Sequence, residues 1–333
     1  MSELSIPLLA WALYQKGNVD SMVVNGEVDA LDTNEGREHM VWECCDTDEE
    51  EGCGTQLESA LRALGQGKSQ FWRSRIIAHS SKSWETFYKL HGEGFFLPRT
   101  YLDRDFPCLQ LALHQPFSLL EFGCGTGASL LPLLSRLPLL QTTGFDLSPH
   151  AIALARAHST FRENSHRACF FAGDATADIS VSAQVARAHE EWRAERGGCP
   201  LHIDNRQGFH SVLLLFCLSA IAPELHGKTM TRAAECLRPG GLLLFRDYGE
   251  GDEAQARFGK GAKLDDDGAV MVRRDGTLAV FMKLRDLRKH CADAGLVDVI
   301  SEYLKRKYQN RATGQTLRRK FIHAIFRKPW GLT

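Results

Sequence analysis

Apolar and polar positions divide this chain into three stretches. Residues 18–70 run through polar and acidic segments (NGEVDALDTNEGREH, DEEEGCGTQ) with neither a helical nor a strand period, and such composition buries too little apolar surface to order a chain. From Ser69, QFWRSRIIAHSSKSWETFYKLHGEGFF brings aromatic and aliphatic residues at helical spacing. From residue 115, apolar runs of strand length alternate with amphipathic stretches of helix length. FSLLEF reads as a buried strand and ASLLPLLSRL as a helix. QTTGFDLS reads as a second strand, PHAIALARAHS as a helix with Pro149 in its first turn, and ACFFAGDA as a third strand. HSVLLLFCLSA is an unbroken apolar run, as expected for a strand covered on both faces. MTRAAECLRPGGLLLFRDYG predicts a helix, a Pro-Gly-Gly turn and a fifth strand. LRDLRKHCADAG predicts a further helix, and LVDVISEYLK and RKFIHAIFRK the last two strands.

This alternation predicts an α/β fold: a doubly wound, seven-stranded sheet, mostly parallel. The turn-rich YQNRATGQT between the last two strands makes them an antiparallel hairpin at one edge. The expected organisation is an acidic, poorly ordered extension over 1–68, an aromatic helical segment over 69–114 and an α/β domain over 115–333. The stretch around 178–209 is long for a connection. Its charged helical piece, AQVARAHEEWRAERGG, reads as a surface insertion.

Charge adds a polarity that the net value of −1 hides. Eleven acidic residues and one basic residue lie between Glu27 and Glu51, against fifteen basic and five acidic residues between Arg273 and Lys328. Such asymmetry is a sign of a polyanionic partner. The ten cysteines include no CxxC pair, which fits reduced intracellular thiols. Cys44, Cys45 and Cys53 with His39 match no metal-site spacing, so no metal is expected. No apolar stretch reaches the roughly 18 residues of a membrane span. The start, MSELSIPLLAWALYQKG, carries Glu3 and no basic n-region. A soluble, cytoplasmic protein away from membranes is expected.

The chemistry begins at Gly123-Cys124-Gly125-Thr126-Gly127-Ala128, which satisfies G-x-G-x-x-G/A after a strand. By itself the loop suits a nicotinamide dinucleotide as well as a methyl donor. Asp146 closes the second strand, where an acid meets ribose hydroxyls in either case, and Asp174 closes the third, placed for an adenine amine. Glu121 precedes the glycines, and LRPGG leads into the fifth strand. As a set, EFGCGTG, GFDLS, GDA and LRPGG resemble the class I S-adenosylmethionine-dependent methyltransferases over residues 115–328. The resemblance implies a Rossmann-like domain with S-adenosylmethionine as cofactor.

The flanking segments narrow the acceptor. Trp84 and Tyr88 lie one helical turn apart; spacing alone favours a packed helix over a lid. WETFYK, a spacer, FF and Arg99 before the glycine loop, with LLLFCLSAIAPE, LLFRDYGEGDEAQARF, VRRDGTLAVFM and RKFIHAIFRKPW after it, resemble the tRNA 3-methylcytidine methyltransferase family. The long opening motif is similar to the branch acting on threonine and arginine tRNAs. The resemblance implies 3-methylcytidine formation at position 32 of the tRNA anticodon loop, with a seryl-tRNA synthetase or another tRNA-binding protein as helper. It implies a cofactor shell of Trp84, Tyr88, Gly123, Asp146, Asp174 and Leu215. Asp247 becomes the candidate catalytic carboxylate, with Arg246 beside it; strand alternation lets only one of the two face the cleft. Arg99, Arg273, Arg274, Arg319 and Lys320 become candidate RNA contacts. Where the family has acid-Arg-His-Trp, this chain has Pro98-Arg99-Thr100-Tyr101 and keeps only the arginine. Two other readings stay open: a class I methyltransferase acting on a small molecule or protein, and a non-catalytic tRNA-binding relative.

Overall fold

Seven strands form one sheet in a computed structural model that describes residues 70–195, 207–265, 267–309 and 316–330. They are β1 (Phe117–Phe122), β2 (Leu140–Asp146), β3 (Ala168–Ala172), β4 (Phe209–Leu215), β5 (Leu237–Tyr248), β8 (Val297–Gln309) and β9 (Thr316–Arg327), ordered β3-β2-β1-β4-β5-β9-β8. The first five pair in parallel, β9 runs antiparallel to β5, and β8 closes the edge antiparallel to β9. A separate hairpin of β6 (Val270–Val272) and β7 (Leu278–Val280) stands beside the sheet and was not foreseen as an element. The acidic segment and the Cys44, Cys45, Cys53 and His39 group lie outside the described residues.

Both faces of the sheet are covered, which is why its central strands read as unbroken apolar runs. On one face Phe117 and Leu119 of β1 pack with α4 (Leu130–Arg136), α5 (Pro149–Ala157) and the segment from Tyr101 to Ala112, including the short α3 (Leu102–Asp105). On the other, Leu120 and Phe122 pack under α1 (Gln70–Ala78), α7 (Val181–Glu195), α8 (His226–Cys236) and α10 (Leu284–Asp293). The aromatic helix α2 (Ser80–His91) builds a smaller cluster of Phe87, Tyr88 and Phe95 on Ala151 of α5. Two short helices, α6 (Ser159–Glu163) and α9 (Glu253–Arg257), complete the described set.

Two expectations change. The charged piece read as a surface insertion is α7, the crossover between β3 and β4. Its Val181, Val185, Ala188 and Trp192 fall at helical spacing and join the core, so the charges mark only its outer face. Pro239-Gly240-Gly241 is not a separate turn but part of β5, whose register against β4 shifts there.

At the end of β5 an ion pair ties three segments together. Arg246 Nη1 donates to Asp105 Oδ2 at 2.6 Å, with both side chains nearly buried. Its Nη2 lies 3.2 Å from Nδ1 of His323 on β9, and its guanidinium covers the Tyr101 and Phe106 rings. Burial, with Arg246 adjacent, holds His323 down at about 3, so the imidazole is neutral and accepts. Removing one partner of a buried pair strands the other charge. Asp105→Ala is therefore expected to destabilise the fold by about 3 kcal/mol, read as a lower urea midpoint at unchanged slope.

Candidate active site

A cavity of about 290 Å³ opens at the carboxyl ends of β1, β2 and β4, where the strand order reverses and ligands of open α/β sheets sit. The glycine loop after β1 lines it, as do Asp146 at the end of β2, Asp174 beyond β3 and Leu215 at the end of β4. Trp84 and Tyr88 of α2 form one side. All six residues expected around a cofactor thus meet at one cavity, although β3 ends at Ala172 and Asp174 lies in the loop after it.

The glycines are required by contact as well as by backbone angle. Gly125 has φ +53°, and a Cβ there would lie 2.5 Å from the Tyr88 hydroxyl; Gly123 has φ +68°, and its Cβ would lie 2.8 Å from Cys217 Sγ. Asp146 holds this loop from beneath, accepting from the Gly125 amide at 2.8 Å and the Ser148 amide at 3.0 Å. Burial raises its carboxyl to about 6 against those two bonds. Asp174 Oδ1 accepts from the amide and hydroxyl of Thr176, which leaves Oδ2 for a ligand donor.

Glu121, fully buried below the loop, makes no well-formed hydrogen bond among the described residues. Burial pushes it up to about 7, and Ser129 and the Arg99 charge pull it only part of the way back. A dry carboxylate without a firm donor at the end of β1 is a place for a cationic group. Arg99 stands beside it as a cavity wall. Its Nη1 donates to Ser129 Oγ at 3.1 Å and its guanidinium covers the Phe96 and Phe216 rings. Expected as an RNA contact, this cation is 8% exposed and faces the cavity.

The far end of the cavity is aromatic. Phe216 has φ +53°, an outlier for a bulky residue, and its ring lies 5.3 Å from that of Tyr248. Asp247 does not open onto this space as expected of a catalytic carboxylate. It is 0% exposed, and its oxygens accept from the amides of Ser219 and Tyr248 at 2.8 Å each, both of which do line the cavity. Burial raises it to about 6. Arg246 points to the opposite face, into the Asp105 pair, and is not a cavity residue.

The basic candidates separate by environment. Arg273 lines the cavity, donating to Thr277 Oγ1 and the Leu278 carbonyl, and Arg274 is exposed on the same hairpin turn. Arg319 is buried against Asp252 at 2.9 Å and stacked on Tyr248 and Phe321, so it is corrected from an RNA contact to a structural ion pair. Lys320 is half-buried, with Nζ 4.0 Å from the Tyr303 ring centre. Beyond Tyr248, the last residue of β5 in the sheet, β8 and β9 continue as a two-stranded arm, held from the side by Asp252 and Glu253, that pairs Lys305 with Lys320 and Lys307 with Arg318. These four share one face, with Lys305, Lys307 and Arg318 exposed. Of the four only Lys320 is singled out from the basic C-terminal stretch; the period-2 alternation of KRKYQ and TLRRK is the signal for the other three.

Fold and cavity together define a Rossmann-like methyltransferase. Residues 98–301 match the family described as "Methyltransferase domain". A crystal structure of a SAM-dependent methyltransferase from Anabaena variabilis has the same fold, with a TM-score of 0.50 at 14% identity over 74% of this chain and 94% of that one. The tRNA N(3)-methylcytidine methyltransferase Mettl2 of Drosophila melanogaster is 33% identical over 305 residues, covering 90% of this chain and 86% of its own. The tRNA(Thr) (cytosine(32)-N(3))-methyltransferase of Saccharomyces cerevisiae is 26% identical over 265 residues, 78% of this chain and 39% of its own. The chain belongs to the tRNA N(3)-methylcytidine methyltransferase family.

A cationic cofactor needs the Glu121 and Asp146 carboxylates ionised. As pH rises through about 6 and about 7, where these two groups titrate, affinity for S-adenosylmethionine is expected to rise about tenfold. Glu121→Gln should flatten the upper part of that rise, measured by isothermal titration from pH 5.5 to 8.

Proposed function

We propose that this protein transfers a methyl group from S-adenosylmethionine to N3 of a cytidine in tRNA, at position 32 of the anticodon loop. The observation that carries the reading is the meeting of Trp84, Tyr88, Gly123, Asp146, Asp174 and Leu215 around one cavity in a chain of this family. The residues present fit the cofactor. Glu121 and Arg99 set an anion and a cation at the glycine-loop end, complementary to a zwitterionic amino-acid group. Asp146 keeps lone pairs for ribose hydroxyls and Asp174 an oxygen for the adenine amine. When bound, the cofactor supplies a sulfonium-activated methyl group.

Cytosine N3 carries a neutral lone pair near pH 7 and attacks without a strong base. The work left to the protein is orientation and exclusion of water. N3 is masked in a base pair, so the acceptor must be an unpaired or extruded base. Phe216 and Tyr248 offer rings to such a base, in keeping with recognition of single-stranded RNA by stacking. Asp247 lies behind Ser219 and Tyr248, where its negative charge favours the cationic ring that forms on methylation. The expectation of Asp247 as a catalytic carboxylate open to the substrate is replaced by this one: it shapes and polarises the acceptor end. The arm face of Lys305, Lys307, Lys320 and Arg318, with Arg274, supplies phosphate contacts that position without specifying sequence. A seryl-tRNA synthetase or another tRNA-binding helper, and a cytoplasmic site of action, belong to the same reading.

The test is transfer of labelled methyl to total tRNA by the full chain, followed by nucleoside analysis. 3-Methylcytidine is expected, mapping to position 32 in threonine or arginine tRNA. Donor binding with no 3-methylcytidine, even after the synthetase is added, overturns the substrate. In the triple variant Lys305→Ser, Lys307→Ser, Arg318→Ser, the slope of log affinity for tRNA against log salt should fall by about two to three, with cofactor affinity unchanged.

A further inference from the structure

One carboxylate near the cavity has no part in the chemistry above. Glu85 lies on α2 between the cavity residues Trp84 and Tyr88 and faces α5. Its Oε2 accepts from the Ser148 hydroxyl at 2.6 Å and from the His150 amide at 3.1 Å, while Oε1 pairs with Lys89 at 3.1 Å. Ser148 is the N-cap of α5, its oxygen accepting from the Ala151 amide at 3.1 Å. With that oxygen engaged by the cap, its proton goes to Glu85. The Ser148 amide donates to Asp146, whose other oxygen accepts from Gly125. Gly125 in turn lies under the Tyr88 hydroxyl, one turn along α2 from Trp84 and three residues from Glu85.

The contacts therefore close a ring: Glu85, Ser148, Asp146, Gly125, Tyr88 and back to α2. Tyr88, Gly125 and Asp146 of that ring line the cavity. Lifting α2 breaks the two Glu85 bonds to the α5 cap and parts Tyr88 from Gly125, and Ser148 and Gly125 are the residues whose amides hold Asp146. A ligand that fixes Asp146 and the glycine loop therefore fixes residues on which α2 rests.

We propose that Glu85 is a positioning residue for cofactor capture, latching α2 to the cap of α5 so that the aromatic wall and the Asp146 carboxylate act as one unit. This rests on the reading of the cavity as the S-adenosylmethionine site. Burial alone would raise the Glu85 carboxyl, but Ser148, the His150 amide and Lys89 together hold it below its usual range. The latch is therefore charged at neutral pH. Glutamine keeps an acceptor oxygen for Ser148 and His150; alanine keeps none.

The experiment compares the full-length wild type with Glu85→Ala, Glu85→Gln and Ser148→Ala, without tRNA. Calorimetry gives S-adenosylmethionine affinity, and hydrogen exchange over residues 80–91 is followed with and without the cofactor. Glu85→Ala is expected to bind at least tenfold more weakly and to lose cofactor-induced protection of α2, with exchange in β1 and β4 unchanged. Glu85→Gln should stay within threefold of wild type. Ser148→Ala combined with Glu85→Ala should be no weaker than the worse single variant. The inference is overturned by Glu85→Ala binding within twofold of wild type, by α2 still gaining protection, or by additive losses in the double variant. If Glu85→Ala fails to fold, the Ser148→Ala protection data decide on the same terms. Wild-type protein that does not bind the cofactor overturns the reading of the cavity instead, and absence of 3-methylcytidine leaves the latch standing.

Discussion

Ionised carboxylates buried at the carboxyl ends of parallel strands are the constraint on which this structure depends. An unpaired charge in a dry interior costs several kcal/mol, so each carboxylate must recruit donors. Asp146 takes the amides of Gly125 and Ser148, and Asp247 takes those of Ser219 and Tyr248. Those donors belong to the loops that shape the cavity, so the requirement to solvate two charges also fixes the loop geometry. The compensation is incomplete. Both groups remain near 6 rather than at ordinary carboxylate values, and Glu121, with no firm donor, remains near 7. The unspent electrostatic demand gathers at the carboxyl ends of β1, β2 and β5, beside the cavity.

The end of β5 shows how tightly strand register enters this arrangement. Arg246 and Asp247 are neighbours, so pleating sends them to opposite faces. One ties the segment after α2 to the sheet through Asp105, and the other holds the Ser219 turn. A slip of one residue would exchange the two and leave an arginine behind the cavity and a carboxylate against Phe106. The antiparallel pairing of Arg246 with His323 and of Asp247 with Ile322 on β9 guards against that slip.

How much of this was legible follows the range of the interactions. Strands covered on both faces, the glycine loop and the acid closing β2 are local patterns, and they stand where they were expected. The N-cap of α5 at Ser148-Pro149 is equally local. The role of a charged side chain is not. Arg99, Arg246 and Arg319 look like any other arginines in the sequence, yet each is buried against a partner at least 30 residues away: Ser129, Asp105 and Asp252. Glu85 and Ser148 are separated by 63 positions. The charged exterior of α7 outweighed its apolar stripe of Val181, Val185, Ala188 and Trp192, although that stripe was present in the spacing.

The placement of positive charge also says how such a site divides its labour. Cations with carboxylate or aromatic partners are buried: Arg99 walls the cavity, while Arg246 and Arg319 hold the sheet through Asp105 and Asp252. Those that stay exposed, Lys305, Lys307, Arg318 and Arg274, lie on projecting hairpins. Lys305 faces Lys320 and Lys307 faces Arg318, and like charges directly opposed destabilise a strand pair. Under the tRNA reading proposed above, a polyanion laid along that face relieves the repulsion. Affinity of that kind is sensitive to salt and indifferent to sequence. Discrimination is then left to the cavity, which is walled by α2 on one side and the β6–β7 turn on the other. Gly276 of that turn packs against Ser83 of α2, its absent Cβ only 2.9 Å from the hydroxyl. Under the function proposed above, walls this close together favour an unpaired nucleotide before any hydrogen bond to the base is made.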